Sequence, residues 1–132
     1  KRGGKRFIAE CAALFTPEAN SPEIYYARRA EFNSVTDRRR KAALFVYLNR
    51  HGYNGLCRYN NSGGFNVPFG RYAAPGFPGV AMAAFQARLN RCELRAADFR
   101  PILAAAGPGD FVYCDPPYVP ASATANFTAA RQ

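Results

Sequence analysis

Phe111-Val112-Tyr113-Cys114-Asp115-Pro116-Pro117-Tyr118 is the stretch that decides the fold class. Its first four residues form a short apolar run of aromatic and β-branched type, the composition of a buried strand. Two consecutive prolines cannot donate to a ladder, so the strand stops at Asp115. A carboxylate, two prolines and an aromatic ring are thereby placed at the carboxyl end of a strand, where open α/β sheets hold their ligands. The Asp115 carboxylate and the Pro116 carbonyl make a pair of acceptors suited to an amine with two hydrogens. Pro117 stiffens the turn, and the Tyr118 ring offers a face on which a base can stack. A strand-ending turn with a capping aspartate would use the same residues for geometry alone.

Outward from that motif, composition bounds the class. The chain has 132 residues, 48% of them hydrophobic, enough for one domain with a core or for a piece of a larger one. No apolar run is long enough to span a bilayer, and the basic start Lys1-Arg2-Gly3-Gly4-Lys5-Arg6 is not followed by a signal-peptide core. Cys11, Cys57, Cys92 and Cys114 are scattered, with no ligand spacing; they read as reduced core cysteines of a cytoplasmic protein that binds no metal.

Charge is uneven. Of the net +9, residues 1–72 carry +8 and residues 73–132 carry +1. Between Asp37 and Glu93 there is no acidic residue, while Arg38, Arg39, Arg40, Lys41, Arg50, Arg58, Arg71, Arg88 and Arg91 fall there. A polyanionic partner is implied, nucleic acid first and an acidic membrane surface second. A solvated basic face would show the same composition.

In chain order, residues 5–15 place Phe7, Ile8, Cys11, Leu14 and Phe15 on one helical stripe. Ser21-Pro22-Glu23 starts a second helix that runs to about Asn33. Asp37 caps a third, through about Arg50, whose centre is apolar nearly all round and whose first turn, Arg38-Arg39-Arg40, has the wrong sign for the helix dipole. His51, the single histidine, reads as structural. Residues 53–72 place two aromatic-containing runs either side of Asn60-Asn61-Ser62-Gly63-Gly64, the pattern of a β-hairpin with a flexible tip. Such a hairpin can enter a major groove, or pack its rings on a core. Residues 73–79 read as a Pro/Gly linker, Val80–Leu89 as a helix, Cys92–Arg95 as a short strand and Phe99–Ala106 as a helix capped by Asp98. Strand, helix and strand in that order suggest a parallel α/β layer, and residues 120–128 an irregular loop beside the site.

Three stretches, Asn49 to Asn60, Phe65 to Tyr72 and Tyr113 to Tyr118 with Ser122 to Phe127, closely resemble the Dam-type DNA adenine-N6 methyltransferases of the D12 class. The resemblance covers nearly the whole chain. His51 stands where the family pattern has tyrosine, and Ser62-Gly63-Gly64 departs at the hairpin tip. It implies an enzyme, expected to act as a monomer on double-stranded DNA, that flips an adenine of GATC out of the duplex and methylates it from S-adenosylmethionine. The implied fold is a Rossmann-like α/β methyltransferase domain, of which this chain is a piece, with a helical target-recognition domain carrying a hairpin. Residues 1–78 would be that recognition domain and 79–132 part of the catalytic domain. Asp115 and Pro116 would accept the two N6 hydrogens, with Asp115 also beside the cofactor, and Tyr118 would stack on the flipped base. Tyr53 would fill the vacated space and Asn54 lie near the orphan thymine. Leu56 and Pro68 would touch a thymine methyl, Arg58 would read a guanine, and Arg71 and Tyr72 would lie along the DNA.

The family's glycine-rich cofactor segment has no counterpart here, since Gly3-Gly4 lacks a preceding strand, so the chain reads as an internal fragment. Two rivals follow: a non-catalytic DNA-binding fragment, and an amino-methyltransferase acting on cytosine N4, RNA or a protein amide. The hairpin match argues against the second.

Overall fold

The computed structural model describes residues 3–115. They belong to two compact units, Lys1–Cys92 and Glu93–Gln132.

The first unit is built on helices α1 (Gly4–Ala12), α2 (Pro22–Ser34), α3 (Arg38–His51) and α4 (Gly79–Arg88). The starts of α2 and α3 have local causes. Ser21 Oγ accepts from the Ile24 N–H at 3.3 Å, with Pro22 in the first turn of α2. Asp37 accepts from the Arg40 N–H at 2.6 Å and caps α3. Helix α1 stops at Ala12, sooner than its apolar stripe suggested, and Leu14 and Phe15 enter the core from the turn that follows.

Helix α3 is the centre. Ala43, Leu44, Tyr47, Leu48 and His51 are buried along one stripe, against Cys11, Leu14, Ala19, Tyr25 and Phe32. His51 is 2% exposed, stacks on Tyr47 with ring centroids 3.9 Å apart, and donates from Nδ1 to the Tyr47 carbonyl at 3.0 Å. Burial is the main force holding its pKa below the ordinary histidine range, with Arg28 and Arg50 adding to it against the Tyr47 hydrogen bond. The structural reading of His51 therefore holds.

The cations that open α3 have partners. Arg39 meets Glu10 of α1 at 2.5 Å, and Arg40 grips Glu31 of α2 with two bonds of 2.6 and 2.8 Å. Lys41 lies over the Phe32 ring. The adverse dipole position is thus used to tie three helices together, and only Arg38 of the Arg38–Arg40 run projects without an ion pair among the described residues.

Helix α4 packs on α1. A Cβ at Gly4 would meet the Gln86 side chain, so a larger residue there would require that side chain to move. The compact units divide at 92/93, so α4 lies in the first unit with α1, and residues 73–78 connect it to the hairpin. Cysteine usage also differs from expectation. All four are free, but Cys11 alone is buried, and Cys57, Cys92 and Cys114 are exposed.

In the second unit Asp98 accepts from the Arg100 N–H at 2.8 Å and caps α5 (Phe99–Ala104). A turn at 107–110 follows, closed by the Asp110 N–H on the Gly107 carbonyl at 3.0 Å, with Gly109 at φ 94°. Neither expected strand forms a ladder. Residues 92–95 are irregular, with Leu94 74% exposed, and Phe111, Val112 and Tyr113 are exposed. The described residues contain helices and two isolated antiparallel bridges, and no sheet. The reason is physical: a parallel strand is stable only between neighbours that satisfy its backbone and cover both faces, and the described residues supply none. Asp115, the last described residue, is exposed. Pro116, Pro117, Tyr118 and the expected loop at 120–128 lie outside the described residues.

Candidate nucleic-acid interface

The hairpin forms, with an irregularity invisible in its sequence. Bridges pair Gly52 with Phe69 and Tyr59 with Phe65, so six residues of the first arm, 53–58, lie opposite three of the second, 66–68. The Tyr53 N–H donates to the Pro68 carbonyl at 2.9 Å, and the Asn66 N–H to the Arg58 carbonyl at 3.1 Å. These two bonds keep the two registers, so the surplus is extruded between them. It forms the 3-10 turn Tyr53–Gly55, with Asn54 at φ 51° and Gly55 at φ 60°, a backbone that asparagine and glycine adopt most readily.

The second arm is fastened from behind by α2. Tyr25, Arg29 and Asn33 lie one helical turn apart. The Tyr25 hydroxyl and Arg29 Nη1 both donate to the Val67 carbonyl, at 3.0 and 2.9 Å. The Asn33 amide makes a reciprocal pair with Phe65, accepting from its N–H at 2.8 Å and donating to its carbonyl at 3.1 Å. A helix edge therefore does the work of a neighbouring strand. Burial pushes the Tyr25 phenol up to about 12, so it stays a donor. Phe65 and Val67 point inward and are buried, and the faces between them turn outward. This ladder was missed from sequence, though the i, i+4, i+8 spacing of three hydrogen-bonding residues on one stripe was there to be read.

All seven residues expected at DNA are exposed: Tyr53, Asn54, Leu56, Arg58, Pro68, Arg71 and Tyr72. Large apolar side chains exposed in a cluster mark an interaction surface, and Tyr53, Leu56, Tyr59 and Tyr72 are 38–51% exposed. Backbone and side-chain bonds gather Tyr53 with Pro68 and Asn54 with Tyr72. Arg58 lies further toward the tip. It has no acid near it in sequence, but its guanidinium is partly held: Nε donates to Asn66 Oδ1 at 2.9 Å and Nη2 to the Asn66 carbonyl at 3.4 Å. One edge of the fork is thus held across the hairpin by a neutral amide, while the terminal edge, with Nη1, has no partner among the described residues. Pre-oriented and still charged, it can present two donors to a pair of acceptors.

The chain matches the family described as D12 class N6 adenine-specific DNA methyltransferase over residues 2–132. It belongs to this family. Among curated relatives of this D12 chain, the DNA adenine methylases of Salmonella typhi and of Escherichia coli strain K12 are each 50% identical over 123 residues, and that of Vibrio cholerae (El Tor Inaba N16961) is 44% identical over the same length. In each case the match takes in 93% of this chain and 44% of the relative. The D12 chain therefore spans less than half the length of the curated relatives it matches.

For the methyl donor that the D12 family implies, the fit is poor. Gly3-Gly4 opens a helix and is packed by Gln86, so it is no cofactor cradle. An exposed Asp115 carboxylate alone does not make a site. No group of three or more His, Cys, Asp or Glu among the described residues could hold a metal ion, and no helix among them is long and apolar enough to cross a membrane.

Proposed function

We propose that this chain is the target-recognition part, with one catalytic motif, of an enzyme that methylates adenine N6 in double-stranded DNA at GATC. The single observation that carries the reading is the extruded turn of the hairpin, which leaves Tyr53, Asn54 and Leu56 exposed on the first arm beside the exposed Pro68 and Tyr72 of the chain that follows, in a stretch without acids.

In this reading Tyr53 enters the stack where the adenine leaves, and Asn54 meets the orphan thymine. Leu56 and Pro68 take a thymine methyl in the major groove, and the terminal edge of Arg58 meets the O6 and N7 acceptors of a guanine. Arg71 and Tyr72 follow the DNA. The Asp115 carboxylate and the Pro116 carbonyl accept the two N6 hydrogens, while Pro117 and Tyr118 hold and stack the flipped base. The residues' contribution is positioning and charge complementarity. S-adenosylmethionine would supply the methyl group. A Rossmann-like sheet that takes residues 111–114 as one of its strands, and a recognition domain at 1–78, are parts of the same proposal.

The experiment is transfer of labelled methyl from S-adenosylmethionine to a GATC duplex by the full-length enzyme carrying these residues, followed by nucleoside analysis of the product. N6-methyladenine in the wild type, lost in Asp115→Ala with duplex binding retained, is the expected result. N4-methylcytosine, or label on RNA or protein in place of DNA, would establish the rival amino-methyltransferase. Undiminished transfer by Asp115→Ala would remove that carboxylate from the chemistry.

A further inference from the structure

Among the described residues, the non-glycine positions with left-handed φ are Asn54, at 51°, and Arg71, at 55°. Arginine in that region is strained and persists where the surroundings over-determine it. The two positions meet at Tyr72. The bend at Arg71 brings the Tyr72 ring over Gly70, where any Cβ would strike it, and carries its hydroxyl to the extruded turn. There Tyr72 Oη accepts from the Asn54 N–H at 2.8 Å, with Asn54 Oδ1 at 3.5 Å.

The other end of Tyr72 is anchored. Asn20 Nδ2 donates to the carbonyls of Tyr72 and Ala73 at 2.8 and 3.2 Å. On the far side of the turn Asn49 Nδ2 donates to the Gly55 carbonyl at 2.7 Å. The extruded segment between the two registers forms no bridge to the second arm. Backbone bonds hold it at Tyr53 N–H to Pro68, Gly55 N–H to Gly52 and Leu56 N–H to Tyr53, and two side chains complete its shape, Asn49 of α3 and Tyr72 beyond the Phe69 bridge.

We infer that the Tyr72 hydroxyl is a positioning group for Tyr53: by holding the Asn54 N–H it fixes the turn that presents the Tyr53 ring, and so favours base flipping. This rests on the reading of Tyr53 as the residue that fills the vacated space. The role is distinct from any contact of Tyr72 with DNA, because the hydroxyl oxygen accepts from the protein's own backbone. Tyr53 is 51% exposed and otherwise unsupported by core packing. Without the tether its ring would sample many orientations, and insertion would have to order it.

Tyr72→Phe removes one oxygen and keeps the ring, so the fold should survive, which a thermal melt checks. In the full-length enzyme the measurements are kcat, duplex Kd, and fluorescence of 2-aminopurine placed at the target adenine. Loss of one hydrogen bond predicts a fall of roughly two- to tenfold in kcat and a matching drop in flipped-base signal. Duplex Kd should change less than kcat. The deciding arm is Tyr53→Ala with and without Tyr72→Phe. If the hydroxyl acts through Tyr53, Tyr72→Phe has no further effect once the Tyr53 ring is gone. Full additivity in that background would show the hydroxyl acting on DNA directly, and an unchanged flipping signal in Tyr72→Phe would also overturn the inference. If Tyr53→Ala itself leaves flipping untouched, the underlying reading of Tyr53 falls, and this inference with it.

Discussion

Arg58, proposed to read a guanine, is held without a salt bridge. Asn66 holds one edge of its fork, which limits the rotamer entropy a flexible cation would lose on meeting a base. A bidentate arginine–guanine contact discriminates by ~1–3 kcal/mol, so Arg58→Ala should lower kcat/KM on GATC by roughly ten- to over a hundredfold. Sites altered only at that guanine should lose much less, and the rates should converge. Tyr53→Ala should instead slow all sites without changing their ranking. Methylation kinetics on GATC and its single-base variants check both, and a uniform loss from Arg58→Ala would make it a phosphate or structural contact. His51 allows a different test. Its folded pKa is depressed by burial, from an ordinary 6.5, so below that value the unfolded chain binds more protons than the folded one. Stability should therefore fall as pH drops from about 6.5 toward the folded pKa. Thermal midpoints measured from roughly pH 7.5 down to about pH 5 should show this loss, and His51→Gln should flatten it. Glu10 and Glu31, whose pKa values are lowered by Arg39 and Arg40, add their loss only below the ordinary glutamate value of 4.5.

At the scale of elements, α3 sorts its cations by partner. Arg39 and Arg40 tie α3 to α1 and α2 through half-exposed ion pairs, and solvent screening keeps the contribution of such pairs small. Arg38 is exposed at the helix start, beside a groove it lines with Lys41, Phe45 and Tyr59 of the hairpin. Duplex binding should weaken steeply with salt, with a log–log slope of ~0.9 per phosphate neutralised. Arg38→Ala should lower that slope if its guanidinium meets a phosphate, whereas Arg39→Ala and Arg40→Ala should change melting and leave the slope nearly intact. Titrations at several salt concentrations, with melts of the same variants, decide it. An unchanged slope in Arg38→Ala would mark the whole run as a helix start that only holds the bundle. Helix α2 works the same way on the hairpin, since its Tyr25, Arg29 and Asn33 fix the second arm from behind.

For the whole molecule, the first unit has a core of its own around α3 and carries most of the exposed residues assigned to DNA. The donor's site is not made by the described residues. The 132-residue chain should accordingly bind S-adenosylmethionine poorly and methylate GATC at no measurable rate. Calorimetry with the cofactor and a labelled-methyl assay on the isolated chain check this, and micromolar binding or transfer would overturn it.

Local chemistry determined most of what could be read in advance. Ser21, Asp37 and Asp98 announced three helix starts because a capping side chain bonds its own next turn. The apolar stripe of α3 and the hairpin around Asn60–Gly64 followed from periodicity and turn chemistry, whereas the DNA roles expected of the hairpin residues came from family resemblance. The strands at 92–95 and 111–114 were not decided that way, because a strand exists only when a second strand accepts its bonds, and composition does not name that partner. Nor could spacing show that Arg39 and Arg40 would find Glu10 and Glu31, that Asn66 would take an edge of Arg58, or that α4 would stay with α1. The three-residue surplus in the hairpin was also hidden: register is set by pairs of residues far apart in sequence, and only tertiary structure brings Pro68 to Tyr53 and Tyr72 to Asn54.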